Sequence, residues 1–166
     1  MFREMRRAKC ALNKSTAEKI LREGIFGVLA LTGDDGYNYA VPLNYAVENN
    51  KIYFHSALNG HKIDAVKNND KVSFCVVGRH DVIAEEFTSY FTSVIAFGRI
   101  KIISDDAAPE KLRGLELLAD KYSPDVDKNL REKELARVAA VKILVLEIEH
   151  LSGKAAREII RNGEIA

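Results

Sequence analysis

The chain has 166 residues and a mass of 18.5 kDa, with 47% hydrophobic and 30% charged residues, which predicts one soluble domain with a sizeable core and excludes a disordered polymer. A formal net charge of +1 supplies no long-range field for nucleic acid or an anionic membrane. No apolar run approaches the roughly 20 residues that span a bilayer and no apolar signal segment opens the chain, so a cytoplasmic protein without membrane or nucleic-acid partners is expected.

In chain order, Arg3, Arg6, Arg7 and Lys9 form a basic arm, read as solvated rather than RNA-binding. Cys10 and Cys75 lack metal-ligand spacing. Cys75 lies in the apolar run Val72–Val77 and reads as a core residue, while Cys10 lies near the mobile end; a reducing compartment suits both. Ser15-Thr16-Ala17-Glu18 has capping-box spacing and Gly24 stands where a helix C′ glycine would, predicting a helix from about Thr16 to Glu23. Ile25 to Thr32 is apolar throughout and predicts a strand buried on both faces. Gly33-Asp34-Asp35-Gly36 then signals a turn.

Tyr37 to Val47 alternates strictly. Tyr37, Tyr39, Val41, Leu43, Tyr45 and Val47 share one face, with Asn38, Ala40, Pro42, Asn44 and Ala46 on the other. Glu48-Asn49-Asn50-Lys51 predicts a tight hairpin, because Asn tolerates positive φ. A returning strand, Lys51 to Ala57, leads through Leu58-Asn59-Gly60-His61-Lys62 into a short helix ending near Asn68. Strand, glycine loop, helix start and lysine make a cradle for a phosphate. The hairpin adds a surface for a flat ligand, so a phosphorylated planar cofactor suits the pair. Pro42 cannot donate a ladder hydrogen bond and marks a sheet edge or a ligand lying against the backbone.

Asp70 to Val77 predicts a further strand, followed by an irregular stretch from Gly78 to Phe87. Thr88 to Ser104 is the longest β candidate, with a bend or bulge at Gly98. Asp105 and Asp106 can cap the next helix and Pro109 suits its first turn; Leu112, Leu115, Leu118, Ala119 and Tyr122 form its apolar stripe. A charged helix from Asp127 to Ala139, a strand from Val141 to Ile148, a loop at Ser152-Gly153-Lys154 and a polar tail complete the reading. About six mostly consecutive strands and three or four helices, without βαβα alternation or a GxGxxG motif, predict a mainly β (α+β) antiparallel barrel with peripheral helices rather than a Rossmann domain. One domain spans 1–166: an arm and helix at 1–24, barrel and helices at 25–150, and a tail at 151–166.

The segments GVLAL, DDGYNYAVPLNY, KIYFHSALNGHKIDAVKNNDKVSFCVV and SVIAFGR closely resemble the nitroimidazole-resistance (Nim) proteins, which belong to the pyridoxamine-5′-phosphate-oxidase-like flavin-binding split barrels. The resemblance covers Met5 to Lys101 well and the C-terminal strand more loosely. It implies a split-barrel homodimer with FMN at the subunit interface. Val41, Pro42, Leu43 and Asn44 resemble the strand along the isoalloxazine ring, and His55, Ser56, Ala57 and Lys62 resemble the ribityl-phosphate site. His61 matches the loop beside the ring, and Ser93 and Val94 match the contribution of the second subunit.

For several of these residues a second reading stands. His55 contacts ligand or is a hydrogen-bonded barrel residue; His61 supplies a proton, as histidine can near neutral pH, or caps a helix. Lys62 beside Gly60 reads as a phosphate ligand rather than a surface lysine, and Tyr37, Tyr39 and Tyr45 read as packing groups. His80 with Asp81 and His150 with Glu149 lack metal-site clustering and are expected on loops. Two classes of function fit. One is a flavin-dependent oxidoreductase that reduces a small acceptor such as a nitroaromatic or 5-nitroimidazole compound, with His61 as the catalytic group. The other is a binding protein that holds flavin or haem without turnover; the resemblance also leaves room for a pyridoxamine 5′-phosphate oxidase-like oxidase.

Overall fold

Asn13 starts the first helix of the computed structural model, which describes residues 2–163. The chain forms α1 (Lys14–Glu23), β1 (Phe26–Thr32), β2 (Asn38–Asn44), β3 (Ala46–Glu48), β4 (Lys51–Ser56), α2 (His61–Asn68), β5 (Lys71–Ile83), β6 (Thr88–Ile103), α3 (Pro109–Tyr122), α4 (Lys128–Leu135), β7 (Lys142–Ala155) and α5 (Arg157–Arg161). At α1 the Asn13 side-chain oxygen accepts from the Thr16 N–H and the Ser15 hydroxyl, both at 2.8 Å, so the expected Ser15–Glu18 capping box does not form. Asn is as good a cap as Ser and begins the helix earlier. Gly24 ends it with a φ of −57°, outside the left-handed region. Its glycine is required by space: a Cβ would fall 2.5 Å from Val76 Cγ1 and 2.6 Å from the Tyr45 hydroxyl.

Seven strands, rather than about six, form one antiparallel sheet in the order β2-β1-β5-β6-β7-β4-β3. The two edge strands, β2 and β3, are separated in sequence by Tyr45 alone. A sheet whose opposite edges are joined by one residue must curl until its ends meet, although its ladder stays open there. Strands β1, β4, β5, β6 and β7 all send side chains into one buried cluster, including Leu29, Phe54, Phe74, Val94 and Leu146, and α1 adds Ala17 and Leu21. Rings fill its centre, with Phe74 meeting Tyr45 and Phe54 edge-on at 4.8 and 5.0 Å. Gly27 makes room for this, since a Cβ there would lie 2.4 Å from Phe74 Cζ.

Several local expectations change. β1 is buried on one face only, and Ile25 and Phe26 before and at its start are exposed. Tyr37 is also exposed, whereas Cys10, expected near a mobile end, is buried. Both cysteines are free. The stretch 78–83 is not irregular: beyond a bulge at Gly78, Arg79 to Ile83 continue β5 and pair with Thr92 to Thr88 of β6. This arm projects past the core, so its order comes from the ladder rather than from apolar alternation. β7 likewise runs through the expected loop at 152–154, pairing Ala155 with Thr92. His80 and His150 therefore lie on strands. The irregularity foreseen at Gly98 exists, but the extra residue is Glu149 on β7. A Cβ on Gly98 would lie 1.9 Å from the Glu147 carbonyl oxygen.

α3 packs over the outer face of β3, β4 and β7, where Leu118 meets Ala46, Tyr53, Ile143 and Val145. Leu112 is exposed; the inward positions are instead Lys111, Gly114 and Leu118. Lys111 is fully buried along its stem and pairs with Asp106, whose carboxyl it holds below the usual range. Asp106 is thus an ion-pair partner, and Ala108 precedes Pro109 as an uncapped N-cap. Glu110 bridges Lys51 at 2.6 Å and Lys101 at 3.2 Å, tying α3 to β4 and β6. The charged helix ends at Leu135, followed by a single 3-10 turn at Val138–Ala140. Part of the polar tail is α5, which docks through buried Ile159; residues 164–166 lie outside the described residues. Among the described residues no helix is long and apolar enough to cross a membrane.

Candidate functional site

The Asn49-Asn50 turn forms as the sequence demands, with φ of 48° and 63°. It sends β4 back beside β7, so that His55 pairs with Ile143 and Ser56 with Lys142. From Ser56 the chain crosses a four-residue turn and enters α2 at Gly60. Gly60 has φ +123°, a conformation that favours glycine, and no atom lies within 4 Å of where its Cβ would be. The backbone, rather than crowding, calls for glycine here.

The α2 N-terminus has no side-chain cap. The Gly60 carbonyl accepts the N–H groups of Ile63 (2.8 Å) and Asp64 (3.1 Å), whereas those of His61 and Lys62 have no partner among the described residues. Two free N–H groups at a helix start, with a lysine on the first turn, make a fitting place for a phosphate. Burial holds the Lys62 ammonium below the usual lysine range, and burial together with the Lys62 charge lowers the His55 imidazole. A dianion placed here would relieve the strain on both groups.

His61 faces the other way. Its ring stacks on Tyr39 of β2 at 4.2 Å and 15°, and its Nε2 lies 3.6 Å from Asp34 Oδ1 in the β1–β2 turn. It therefore bridges the start of α2 to the edge strand that carries Val41, Pro42, Leu43 and Asn44. Val41 and Leu43 turn toward the core, while Pro42 and Asn44 are exposed. Pro42 pairs with Val28 on one side only, as an edge position permits. Ser56 is buried and Ala57 exposed at the mouth of the turn.

Ser93 and Val94 do not join this group within one chain. They lie on β6, separated from β4 by β7 and from β2 by β1 and β5. At the usual strand spacing, β4 is about 10 Å away. Val94 is buried in the core, so of the two only Ser93 offers a side chain toward the outside.

Two residues that the sequence does not mark as part of the site anchor the end of β2. The Tyr122 hydroxyl accepts the Tyr45 N–H at 2.9 Å and donates to the Ile25 carbonyl at 2.5 Å. Lys121 Nζ donates to the Gly24 carbonyl at 2.6 Å and lies 4.0 Å over the Tyr45 ring. Loss of water pushes its ammonium down to about 8. The buried Tyr45 hydroxyl, raised by burial, donates to the Leu21 carbonyl at 2.5 Å. Together these bonds fix where β2 stops and β3 begins. Beside them Ile25 and Phe26, at 68% and 61% exposure, border an open groove of about 480 Å³ with Val77 and Arg79.

Among solved structures the chain is similar to a candidate 5-nitroimidazole antibiotic resistance protein of Bacteroides thetaiotaomicron, at 23% identity over 87% of this chain and 86% of that one, with a TM-score of 0.73. It is similar to a flavocytochrome of Azotobacter vinelandii at 21% identity, 92% and 72% coverage and a TM-score of 0.73. It is also similar to a FAD-binding protein of Mesorhizobium loti at 26% identity, 88% and 96% coverage and a TM-score of 0.60. No curated protein matches. A family model described as pyridoxamine 5′-phosphate oxidase matches residues 13–155, the span that holds all seven strands and the α2 cradle, and the chain belongs to that family.

Proposed function

We propose that this protein binds FMN and acts as an oxidoreductase on a small acceptor, a nitroaromatic or 5-nitroimidazole compound being the favoured class. The observation that carries the reading is the α2 cradle, where two unpartnered N–H groups and Lys62 converge beside the exposed face of an edge strand. Similarity to a flavocytochrome and to a FAD-binding protein supports a flavin. A cradle for one phosphate favours FMN. When bound, the flavin supplies the two-electron chemistry. The chain supplies position through the cradle, an ordered backbone at Pro42–Asn44, and at His61 a proton donor backed by the Asp34 carboxylate.

The absorption spectrum of the purified protein tests the class. A flavin spectrum bleached by NAD(P)H is expected; a Soret band, or a flavin that no reductant turns over, points to a binding protein instead. Lys62→Ala should cost about 1.5–3 kcal/mol of FMN affinity, the worth of a charge-assisted hydrogen bond. Riboflavin, which lacks the phosphate, should bind both proteins alike. Equal losses for the two ligands would place Lys62 elsewhere.

A homodimer completes the proposal. Ile25, Phe26 and Val77 are exposed together around one groove, and contiguous apolar surface of this kind marks interfaces. A second copy would also bring Ser93 to the site, which a single chain leaves several strands away. Light scattering should give twice 18.5 kDa at micromolar protein, and Phe26→Asp should reduce it to the monomer mass. A wild-type monomer removes the interfacial arrangement.

A further inference from the structure

At the opposite end of β6 from Ile103, three cations gather around one pocket of about 360 Å³. Arg7 comes from the N-terminal turn, Lys154 from the end of β7 and Arg157 from the first residue of α5. None of the three forms an ion pair among the described residues, and Glu158 is the one carboxylate in the lining. Elsewhere on this surface cations are commonly paired, as Arg99 is with Asp70 and Arg113 with Glu48. Unpaired like charges around one concavity repel, and an anion relieves them.

The walls are held by more than these charges. Lys154 pairs with Ser93 in the β6–β7 ladder and forms an isolated bridge to Ala11. The Ala156 N–H donates to the Phe91 carbonyl at 2.9 Å. Buried Ala155, Ala156 and Ile159 pack with Leu12, Tyr90 and Phe91, which binds the first turn of the chain to its last helix. Lys154 Nζ lies 5.4 Å from the ring centre of Phe91, which also lines the pocket. Thr88 and Ser89, residues whose hydroxyls are neutral donors, also belong to the lining. Two guanidinium forks, an ammonium and two hydroxyls form the donor set that phosphoryl oxygens take.

We propose that this pocket binds a small phosphorylated metabolite carrying at least two negative charges. Its volume lies at the small end of ligand pockets, enough for a phosphosugar or a diphosphate and short of a dinucleotide. Within one chain the pocket shares no lining residue with the α2 cradle. Arg7 and Arg157 also lie outside residues 13–155, so the site is a feature of this chain rather than of the matched family span.

Calorimetric titration with pyrophosphate tests it. Saturable binding is expected in the wild type, weakened about tenfold or more by Lys154→Gln and by Arg157→Ala, with unchanged melting temperatures. Lys62→Ala should leave this binding intact, which keeps the test independent of the flavin cradle. Absence of binding at millimolar pyrophosphate overturns the proposal. So does a loss confined to Lys62→Ala, or binding seen with an oligonucleotide but not with pyrophosphate. Lys154→Arg should restore affinity; failure to do so, with the fold intact, also counts against a charge-recognition site.

Discussion

His61→Ala should retain its flavin yet pass electrons to a nitro compound roughly 10²–10⁴-fold more slowly, the range for losing a general acid. Converting a nitro to a nitroso group takes two electrons and two protons and releases water, so each electron pair must be matched by protons at the acceptor oxygen. The His61 ring is held by stacking on Tyr39, Asp34 lies 3.6 Å from its Nε2, and solvent water restores the proton that it gives up. His61→Gln should be as slow as His61→Ala, because an amide can keep a hydrogen bond but cannot give up a proton. Stopped-flow reoxidation of the reduced protein separates this effect from loss of cofactor. Wild-type rates in both variants, with flavin still bound, would make His61 a bridge between α2 and β2 and nothing more.

Phe74→Ala should lower stability by about 3–5 kcal/mol in urea unfolding, without changing the residues of the cradle. Phe74 is fully buried and stands where the whole fold meets: Tyr45 and Phe54 pack on its ring edges, and Gly27 is bare to admit it. An alanine would leave a ring-sized void that these neighbours, held by separate parts of the chain, cannot fill. The loss is a large share of the roughly 5–15 kcal/mol that holds a domain folded. A loss below about 1 kcal/mol would mean that the curled sheet collapses around the gap, contrary to the rigidity that its close glycine contacts imply. Phe74→Leu should recover part of the stability.

The parts of this molecule that the sequence made legible are those decided by near neighbours. Alternation from Tyr37, positive φ at Asn49 and Asn50, and the glycine before His61 all act within a few residues; the turn and α2 form as expected, while the strand expected over Tyr37–Val47 divides into β2 and β3. Tyr45 is different. Its alternation continues unbroken in the sequence, yet the strand stops there because its N–H goes to Tyr122, 77 residues later. The β5–β6 arm is not legible in the sequence because Gly78, Arg79 and Asp81 lack apolar period, and only the partner strand gives them order. For the candidate site, Gly60, His61 and Lys62 were legible as a local motif. Tyr122 reads only as the end of a helical stripe and Lys121 carries no mark at all, since nothing nearby shows what their polar ends meet. Ser93 and Val94 are adjacent in the sequence, but neighbours on a strand face opposite sides, and the core takes Val94.

The pairing of β4 with β7 sets a timetable for synthesis. Lys51 pairs with Glu147 and Ser56 with Lys142, so the fourth strand made waits for the seventh. β1, β2, β5 and β6 can pair among themselves as they emerge from the ribosome, but β4 has only the three-residue β3 until β7 arrives. Through that interval Ile52, Tyr53 and Phe54 form a β-branched and aromatic run with an open edge, the kind of segment that invites intermolecular pairing. High contact order slows such closure and lengthens the exposure. The nascent chain therefore meets its greatest aggregation hazard before the final strand is translated, and chaperone demand should fall once β7 has left the exit tunnel.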